Sequence, residues 1–142
     1  MCSSDLGITR GTTRAHLARA AVEAMAYQTN DVVKAMEGDT SRPFKELRVD
    51  GGASVMDALC QFQSDLLGIP VRRPGQTETT ALGAAFMAGL GAGLWSDSDL
   101  NGLWKLDREF EPAISRDQAE TLQAHWRRAV ERSRRWIASD NQ

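Results

Sequence analysis

Residues 47–74, LRVDGGASVMDALCQFQSDLLGIPVRRP, constrain the fold most, because they predict a strand, a glycine pair, a helix and a second strand in succession. Leu47 to Val49 is a short β-favouring run that enters Gly51 and Gly52, and Ile69 to Arg73 is a second such run. Two strands joined through one helix lie parallel, with a right-handed crossover. The sequence therefore predicts a βαβ unit and an α/β fold.

The helix of this unit has limits that can be seen in the sequence. Ser54-Val-Met-Asp57 resembles a capping box with Asp in the acidic position, which predicts a helix start near Ser54. Gly68 predicts the helix end, and Pro70 prevents its continuation. The apolar positions between these limits return at helical spacing and form one face, which consists of Val55, Leu59, Phe62 and Leu66.

A long amphipathic helix precedes the βαβ unit. The apolar residues from Thr13 to Met36 are spaced as one face of a helix, and Gly38 supplies a natural stop. The predicted face consists of Leu17, Ala21, Met25, Val32 and Met36.

Two more helices and an edge strand are predicted after the unit. Thr79 or Thr80 is expected to cap a helix of small residues, which we expect to be wedged against its neighbours. Trp104 to Phe110 is expected to form a short edge strand, and Ser115 to Gln118 is a capping box for a last helix. The small residues are Ala81, Gly83, Ala84, Ala85 and Ala88, and the apolar face of the last helix is Leu122, Trp126, Val130 and Ile137.

Length, charge and cysteine usage exclude several classes of protein. A chain of 142 residues is the usual size of one domain, and its net charge of −2 argues against a dedicated nucleic-acid binder. Cys2 and Cys60 are the two cysteines, which indicates neither a disulfide scaffold nor a zinc site and favours the cytoplasm. The uncharged run from Thr79 to Ser96 is too short and too rich in glycine to span a membrane, which needs about 20 apolar residues.

The Asp50-Gly51-Gly52 turn is the candidate binding feature. A glycine pair between a strand and a helix permits positive φ and removes the side chains that would keep a ligand away. The amides at a helix start also attract anions, so a nucleotide can lie across Gly51 and Gly52. The turn lacks the lysine of a Walker loop and the spacing of a dinucleotide fingerprint, so an ordinary Asp-Gly turn is the alternative.

Other polar residues have simpler explanations. His16 and His125 are isolated on predicted helices, where a capping, surface or core role is more common than catalysis. Asp57 is expected to be a capping residue and Asp65 a solvated helix position. Among the carboxylates, Asp50 alone keeps functional interest.

Several segments together resemble the C-terminal part of the FGGY family of carbohydrate kinases. GITRGTTRAHLARAAVE, from Gly7 to Glu23, is similar to the family's C-terminal signature. LRVDGGAS, QFQSDLLGIPVRRP and TETTALGAAFMAGLGAGLW resemble the glycerol kinase branch of the family, as do REFEPAIS and the tryptophan-bearing helix after it. The resemblance covers Gly7 to Ile137. Residues 1–6 are therefore expected to be a frayed or unrelated leader, and residues 7–142 part of the C-terminal domain.

The resemblance implies an actin-like, ribonuclease H-like ATPase fold, of which this chain is expected to be the C-terminal portion. In that branch an aspartate takes a proton from glycerol, whose oxygen attacks the γ-phosphate of ATP while magnesium neutralises charge, yielding ADP and glycerol 3-phosphate. The enzymes are expected to be cytoplasmic homo-oligomers. The resemblance assigns the catalytic aspartate, the glycerol contacts and the magnesium ligands to regions outside this chain, so no catalytic or metal-binding residue is expected in it.

Three residues receive a role from the resemblance. Gly51 and Gly52 correspond to the pair whose backbone, at Gly52, lies against the bound ATP or ADP. Met56 falls where many glycerol kinases have an asparagine near the adenine. Methionine can pack on a purine through its thioether but lacks the hydrogen bonds of an amide, so purine selectivity is open.

Two other functions are open on the sequence alone. The chain can belong to a related FGGY kinase that acts on another polyol or a sugar such as xylulose, or it can be a nucleotide-binding or interaction module without chemistry. If the chain belongs to either kinase, its expected partner is the nucleotide, and binding to nucleic acid or to a membrane is not expected. As a fragment or truncated reading frame, the chain is expected to be inactive alone. We also expect it to expose apolar surface and to self-associate.

Overall fold

A computed structural model describes residues 7–76, 78–100 and 104–134. In chain order its elements are α1 (Arg14–Thr40), β1 (Leu47–Arg48), a 3-10 turn (Gly52–Val55), α2 (Asp57–Leu67), β2 (Val71–Pro74), α3 (Thr79–Gly91), α4 (Asp97–Leu100), β3 (Leu106–Phe110) and α5 (Arg116–Ser133). None of the helices in these ranges is both long and apolar enough to cross a membrane.

The sheet confirms the predicted βαβ unit. The strands lie in the order β1-β2-β3, and β1 pairs parallel to β2 with Leu47 opposite Val71. The edge strand predicted between Trp104 and Phe110 is also present, as β3. It pairs antiparallel to β2 with Phe110 opposite Val71. In the described part of the chain β1 pairs with β2 alone, so its other edge is open.

Helix α2 forms the centre of the core. On one side its Leu59 and Leu66 pack with Ala26 of α1, and all three side chains are at most 4% exposed. On the other side Cys60 packs with Val71 and Phe110 of the sheet. This arrangement places α2 between α1 and the sheet.

An aromatic contact joins α5 to the same core. Tyr27 of α1 meets Phe62 of α2 edge to face, with ring centroids 5.4 Å apart. Trp126 of α5 stacks on Tyr27 at 5.1 Å, and its indole nitrogen donates a 2.8 Å hydrogen bond to Asp31 Oδ2. Of the apolar face predicted for α5, Leu122 and Trp126 pack on this core, whereas Val130 is 38% exposed and Ile137 lies outside the described residues.

The end of α2 is confirmed at Gly68, which adopts a left-handed φ of 73° that favours glycine. Arg116 at the start of α5 donates to the carbonyls of Asp65 and Leu66 at 3.0 and 2.9 Å, and so satisfies orphan acceptors of the last turn. A Cβ added at Gly68 would lie 2.5 Å from Arg116 Nη1. Gly68 thus gives both the turn and the space that the guanidinium occupies.

The predicted start of α2 at Ser54 is wrong. The helix begins at Asp57 with Met56 in the N-cap position, because residues 52–55 form a 3-10 turn first. The Ser54 hydroxyl donates to the Gly51 carbonyl at 2.7 Å and does not accept from an amide of α2. Asp65, expected to be solvated, is 7% exposed and accepts a 2.8 Å hydrogen bond from the Ala113 amide.

The predicted end of α1 at Gly38 is wrong, and the apolar face predicted for this helix is not the buried one. The helix continues through Gly38 to Thr40, and the side chains of Leu17, Met25, Val32 and Met36 are 37–58% exposed. The residues buried along α1 are instead Ala26, Asn30 and Val33, of which Ala26 packs directly against Leu59 and Leu66 of α2. Helix α1 therefore has a buried stripe beside α2 and a separate apolar stripe that is uncovered in the described structure.

Helix α3 differs from its prediction in cap and in burial. Glu78 precedes the first turn at Thr79, so neither threonine is the cap. The alanines at 81, 84, 85 and 88 are exposed, and within α3 Gly89 alone is buried, under the Trp95 ring. The expectation of a helix wedged between neighbours is therefore wrong for the described residues. The last helix agrees with its prediction, since Ser115 Oγ accepts from the Gln118 amide at 3.2 Å.

Replacing Gly68 with alanine should lower the free energy of unfolding by about 2 kcal/mol, because a Cβ is strained at positive φ and collides with the Arg116 guanidinium. Urea unfolding measures the change. Gly38→Ala is the matched control, since Gly38 lies inside α1 with open space around it and should gain up to about 1 kcal/mol. Equal effects of the two substitutions would contradict this assignment.

The loop after α1 should loosen in acid. Glu37 accepts hydrogen bonds from Lys34 and from the Phe44 amide, and these bonds lower the pKa of its carboxyl. Its stabilisation is therefore complete above the ordinary glutamate pKa of about 4.3 and is lost as the pH falls through the lowered value. The protection factor of the Phe44 amide, which compares its exchange with the intrinsic rate at each pH, should fall over that window in the native chain. In Glu37→Gln the protection factor should not change over the same window. A native protection factor that also stayed constant would refute the assignment.

Candidate functional site

The turn between β1 and α2, residues 50–56, brings together the site residues expected from the sequence. Gly51 has φ 77° and ψ 177°, in the region that glycine alone adopts readily. Ser54 is 3% exposed, and its amide and hydroxyl both donate to the Gly51 carbonyl, at 3.1 and 2.7 Å. The Met56 amide donates to the Ala53 carbonyl at 3.1 Å. The turn is thus closed by its own hydrogen bonds.

The outer side of the turn is bare backbone. A Cβ added at Gly51 or Gly52 would meet no atom of the described chain within 4 Å. A cavity of about 260 Å³ lies beside the turn and is lined by Asp50, Ala53 and Ser54 together with residues of α1, β1 and α2. A flat ligand can therefore approach the glycine backbone without displacing a side chain.

Met56 ends the turn and begins the helix. Its side chain is half-buried and packs against the cluster of Ala26, Leu59 and Leu66. Its carbonyl accepts from the amide of Leu59 at 3.0 Å and of Cys60 at 3.2 Å. Met56 therefore offers a ligand an apolar surface whose position is fixed by the core.

A group of four charged side chains stands on the other side of the turn. Arg73 Nη1 donates to the Ser54 carbonyl at 3.0 Å and to Asp57 Oδ1 at 2.9 Å, and Arg73 Nε donates to Asp107 Oδ2 at 3.0 Å. Arg108 Nη1 reaches the second oxygen of Asp57 at 2.5 Å. Asp57 is thus an ion-pair residue of α2 and not the capping-box acid that the sequence predicts. The hydrogen bonds to Asp57 and Asp107 raise the pKa of Arg73, which stays charged.

Cys60 completes the support of the turn. Its Sγ donates to the Ser54 carbonyl at 3.2 Å, and the residue is fully buried. Burial raises the pKa of the thiol, so the group is a neutral donor at physiological pH. Cys60 therefore acts in packing and hydrogen bonding, with no thiolate available for nucleophilic chemistry.

The charges around the turn favour an uncharged ligand group. Arg48 pairs with Glu46 and stands over the Trp104 ring, and Arg73 is held between two aspartates. The exposed Asp50 adds negative charge at the start of the turn. A phosphate would gain little from cations that are already paired, whereas a nucleoside base or ribose can use the bare backbone and the Asp50 carboxylate.

Other polar candidates lie away from the turn. His16 stands at the start of α1, where its Nδ1 accepts from the Thr13 amide at 3.0 Å, in agreement with a capping role. His125 is exposed on α5. The described residues contain no group of three or more His, Cys, Asp or Glu placed to hold a metal ion.

The sequence reading missed Arg73 and Arg108 at this site. Both belong to strands in which charged residues are typical of a solvated face. Their partners Ser54 and Asp57 are 16 to 51 residues away along the chain, so local spacing gives no signal of the contact. The one available hint was that Arg73 follows the βαβ crossover, which brings it beside the start of the helix.

Comparison with known proteins supports the resemblance of the sequence. The C-terminal domain of the FGGY family of carbohydrate kinases matches residues 2–92. A glycerol kinase of Dechloromonas aromatica (strain RCB) is 60% identical over 131 residues, which are 92% of this chain and 26% of that protein. A glycerol kinase of Aromatoleum aromaticum is 57% identical over 134 residues, 94% of this chain and 27% of the relative.

A solved structure shares the fold. The crystal structure of Plasmodium falciparum glycerol kinase with ADP superposes with a TM-score of 0.77 at 32% identity, covering 90% of this chain and 26% of the other. The chain thus spans about a quarter of the length of the relatives it matches. Its α/β fold is that of the C-terminal portion of these actin-like, ribonuclease H-like kinases. Since the family's C-terminal domain matches well over half of its residues, the chain belongs to the FGGY family of carbohydrate kinases.

Proposed function

We propose that this chain forms the adenosine side of the nucleotide cleft in an ATP-dependent glycerol kinase, which converts ATP and glycerol to ADP and glycerol 3-phosphate. The observation that carries the proposal is the 60% identity to a glycerol kinase over 92% of the chain. The solved structures of a gluconate kinase and a xylulose kinase are only 23% identical to this chain in sequence, so their similarity concerns the fold alone. Glycerol is therefore favoured over a sugar as the acceptor.

The Gly51–Met56 turn suits the nucleoside end of ATP. The open backbone of Gly51 and Gly52 can face the ribose and base, while Met56 offers apolar contact at the rim. ATP supplies the transferred phosphoryl group, and the paired state of Arg48 and Arg73 agrees with binding that group elsewhere. The catalytic aspartate, the glycerol contacts and the magnesium ligands belong, in this proposal, to other parts of the enzyme.

The uncovered stripe of α1 suits a contact with the rest of such an enzyme. An apolar groove of about 490 Å³ runs along α1 and is lined by Met25, Val32, Met36, Phe44 and Leu47, among others. Leu47 belongs to β1, whose outer edge is open in the described structure. Further strands of the same domain can pair with that edge and cover the groove.

We further propose that residues 7–142 form one partial domain, and that the complete enzyme is a cytoplasmic homo-oligomer.

An exchange chimera tests the proposed function. The C-terminal quarter of the Dechloromonas aromatica glycerol kinase is replaced by this chain, since the two are 60% identical there. Glycerol-dependent formation of ADP should be retained within about tenfold of the parent, because the grafted turn and core match those of the recipient. The parent without its C-terminal quarter is the negative control. A folded chimera without activity would overturn the proposal.

Met56 should set purine selectivity in that chimera. Met56→Asn introduces an amide that can bond both the amino group and a ring nitrogen of adenine, as asparagine does in base readout. The ratio of kcat/KM for ATP to that for GTP should rise about tenfold. Val55→Asn is the matched control, because Val55 is 60% exposed on the same turn and should leave the ratio unchanged. Equal ratios for both variants would exclude Met56 from the base contact.

The chain alone should self-associate through the uncovered stripe of α1. Val32 and Met36 are 58% and 46% exposed in the apolar groove, so Val32→Glu with Met36→Lys should raise the dissociation constant of self-association about tenfold or more. Sedimentation velocity over a concentration series measures it. Substitution of exposed Arg127 and Arg128 on α5 by Glu and Gln is the control. A native chain that stays monomeric at high concentration contradicts this expectation.

A further inference from the structure

We propose that Arg73 is a positioning residue of the nucleotide-binding turn. It holds residues 51–56 in their binding conformation through the Ser54 carbonyl and does not itself contact the nucleotide. The effect on nucleotide affinity rests on the function proposed above, whereas the effect on the turn rests on the geometry alone.

Arg73 joins the turn to two other elements. Its side chain is only 12% exposed and donates to Ser54 in the turn, Asp57 in α2 and Asp107 in β3, at distances from 2.9 to 3.0 Å. Its guanidinium also stands 5.5 Å from the ring centroid of Phe110. Strand, helix and turn thus share one largely covered planar donor, whose fixed fork helps to define where the Ser54 carbonyl lies.

The hydrogen bonds continue from Arg73 to the glycine pair. Ser54 accepts from Arg73 with its carbonyl and donates to the Gly51 carbonyl with both its amide and its hydroxyl. Because glycine has the widest conformational freedom of any residue, a Gly-Gly turn loses much entropy if it is ordered only when the ligand binds. Arg73 orders the turn in advance, which lowers the cost of binding.

The charge of Arg73 is already neutralised within its own group. Asp57 and Asp107 both accept from it, and Arg108 gives a further donor to Asp57. A phosphate that competed for Arg73 would have to break these pairs and release the Ser54 carbonyl. The geometry therefore fits a positioning role and disfavours a role as a direct phosphate ligand.

Arg72 supplies a matched control in the neighbouring position. It lies in the same strand and pairs with Glu46 and Glu109, so it too bridges two carboxylates. No hydrogen bond joins Arg72 to residues 50–56 in the described structure. Removal of either guanidinium therefore costs a comparable ion-pair group. Only removal of Arg73 also takes a charged donor from the Ser54 carbonyl, which then keeps the Cys60 thiol alone.

The first measurement uses the 142-residue chain itself. Amide hydrogen exchange of residues 52–56 should become about tenfold faster in Arg73→Met, from the loss of a hydrogen bond with a charged donor. Arg72→Met should leave exchange in the turn within about twofold of the native chain. Arg73→Lys, which keeps one charged donor, should give an intermediate rate. If Arg73→Met does not fold, the exchange rates of Arg73→Lys and Arg72→Lys are compared in the same way.

The second measurement uses the active exchange chimera. Arg73→Met should raise KM for ATP about tenfold while KM for glycerol and kcat stay within about twofold, a split that general destabilisation would not produce. Equal exchange and equal KM in the Arg73 and Arg72 variants would overturn the proposal, and a larger loss in kcat than in KM would overturn the positioning role. If the chimera with native residues is inactive, the proposed function fails, and turn exchange alone decides whether Arg73 positions the turn.

Discussion

Burial of α2 on two sides is the constraint on which the rest of the structure depends. Leu59 and Leu66 pack on α1, while Cys60 packs on the sheet, so the helix has one permitted rotation about its axis. Both of its ends are then fixed. Arg116 holds the carbonyls of its last turn, and the residues before Asp57 have to connect an already fixed strand to an already fixed helix.

The shape of the turn between β1 and α2 follows from that connection. β1 contributes only two residues to the sheet, and the chain must then reverse into the helix within a few residues. A left-handed Gly51 and a 3-10 turn accomplish this, and they leave backbone with no side chain on the outer face. Ser54 and Cys60 satisfy polar groups on the inner face. The bare outer face of the turn, where we propose that a nucleoside binds, therefore results from the geometry of the fold together with two glycines.

The sequence predicted the parts of the fold that local rules control. Periodicity and glycine punctuation identified α2, its end at Gly68 and the parallel strands, because each depends on residues close in the chain. The start of α2 was wrong because Ser54 has two possible partners, and tertiary geometry favours the Gly51 carbonyl over a helix amide. The contact of Arg73 with Ser54 depends on the packing of a strand beside a helix end, for which no local pattern exists.

The error in α1 has a different cause. Apolar periodicity indicates every surface that a helix buries in the complete protein. It does not say which of these surfaces is covered by a given neighbouring element. Periodicity identified the stripe that includes Val32 and Met36, yet the described core uses the stripe around Ala26. The uncovered stripe lines an apolar groove into which another element can insert. An uncovered stripe beside an open strand edge is therefore what a helix shared by two layers of a larger domain would present.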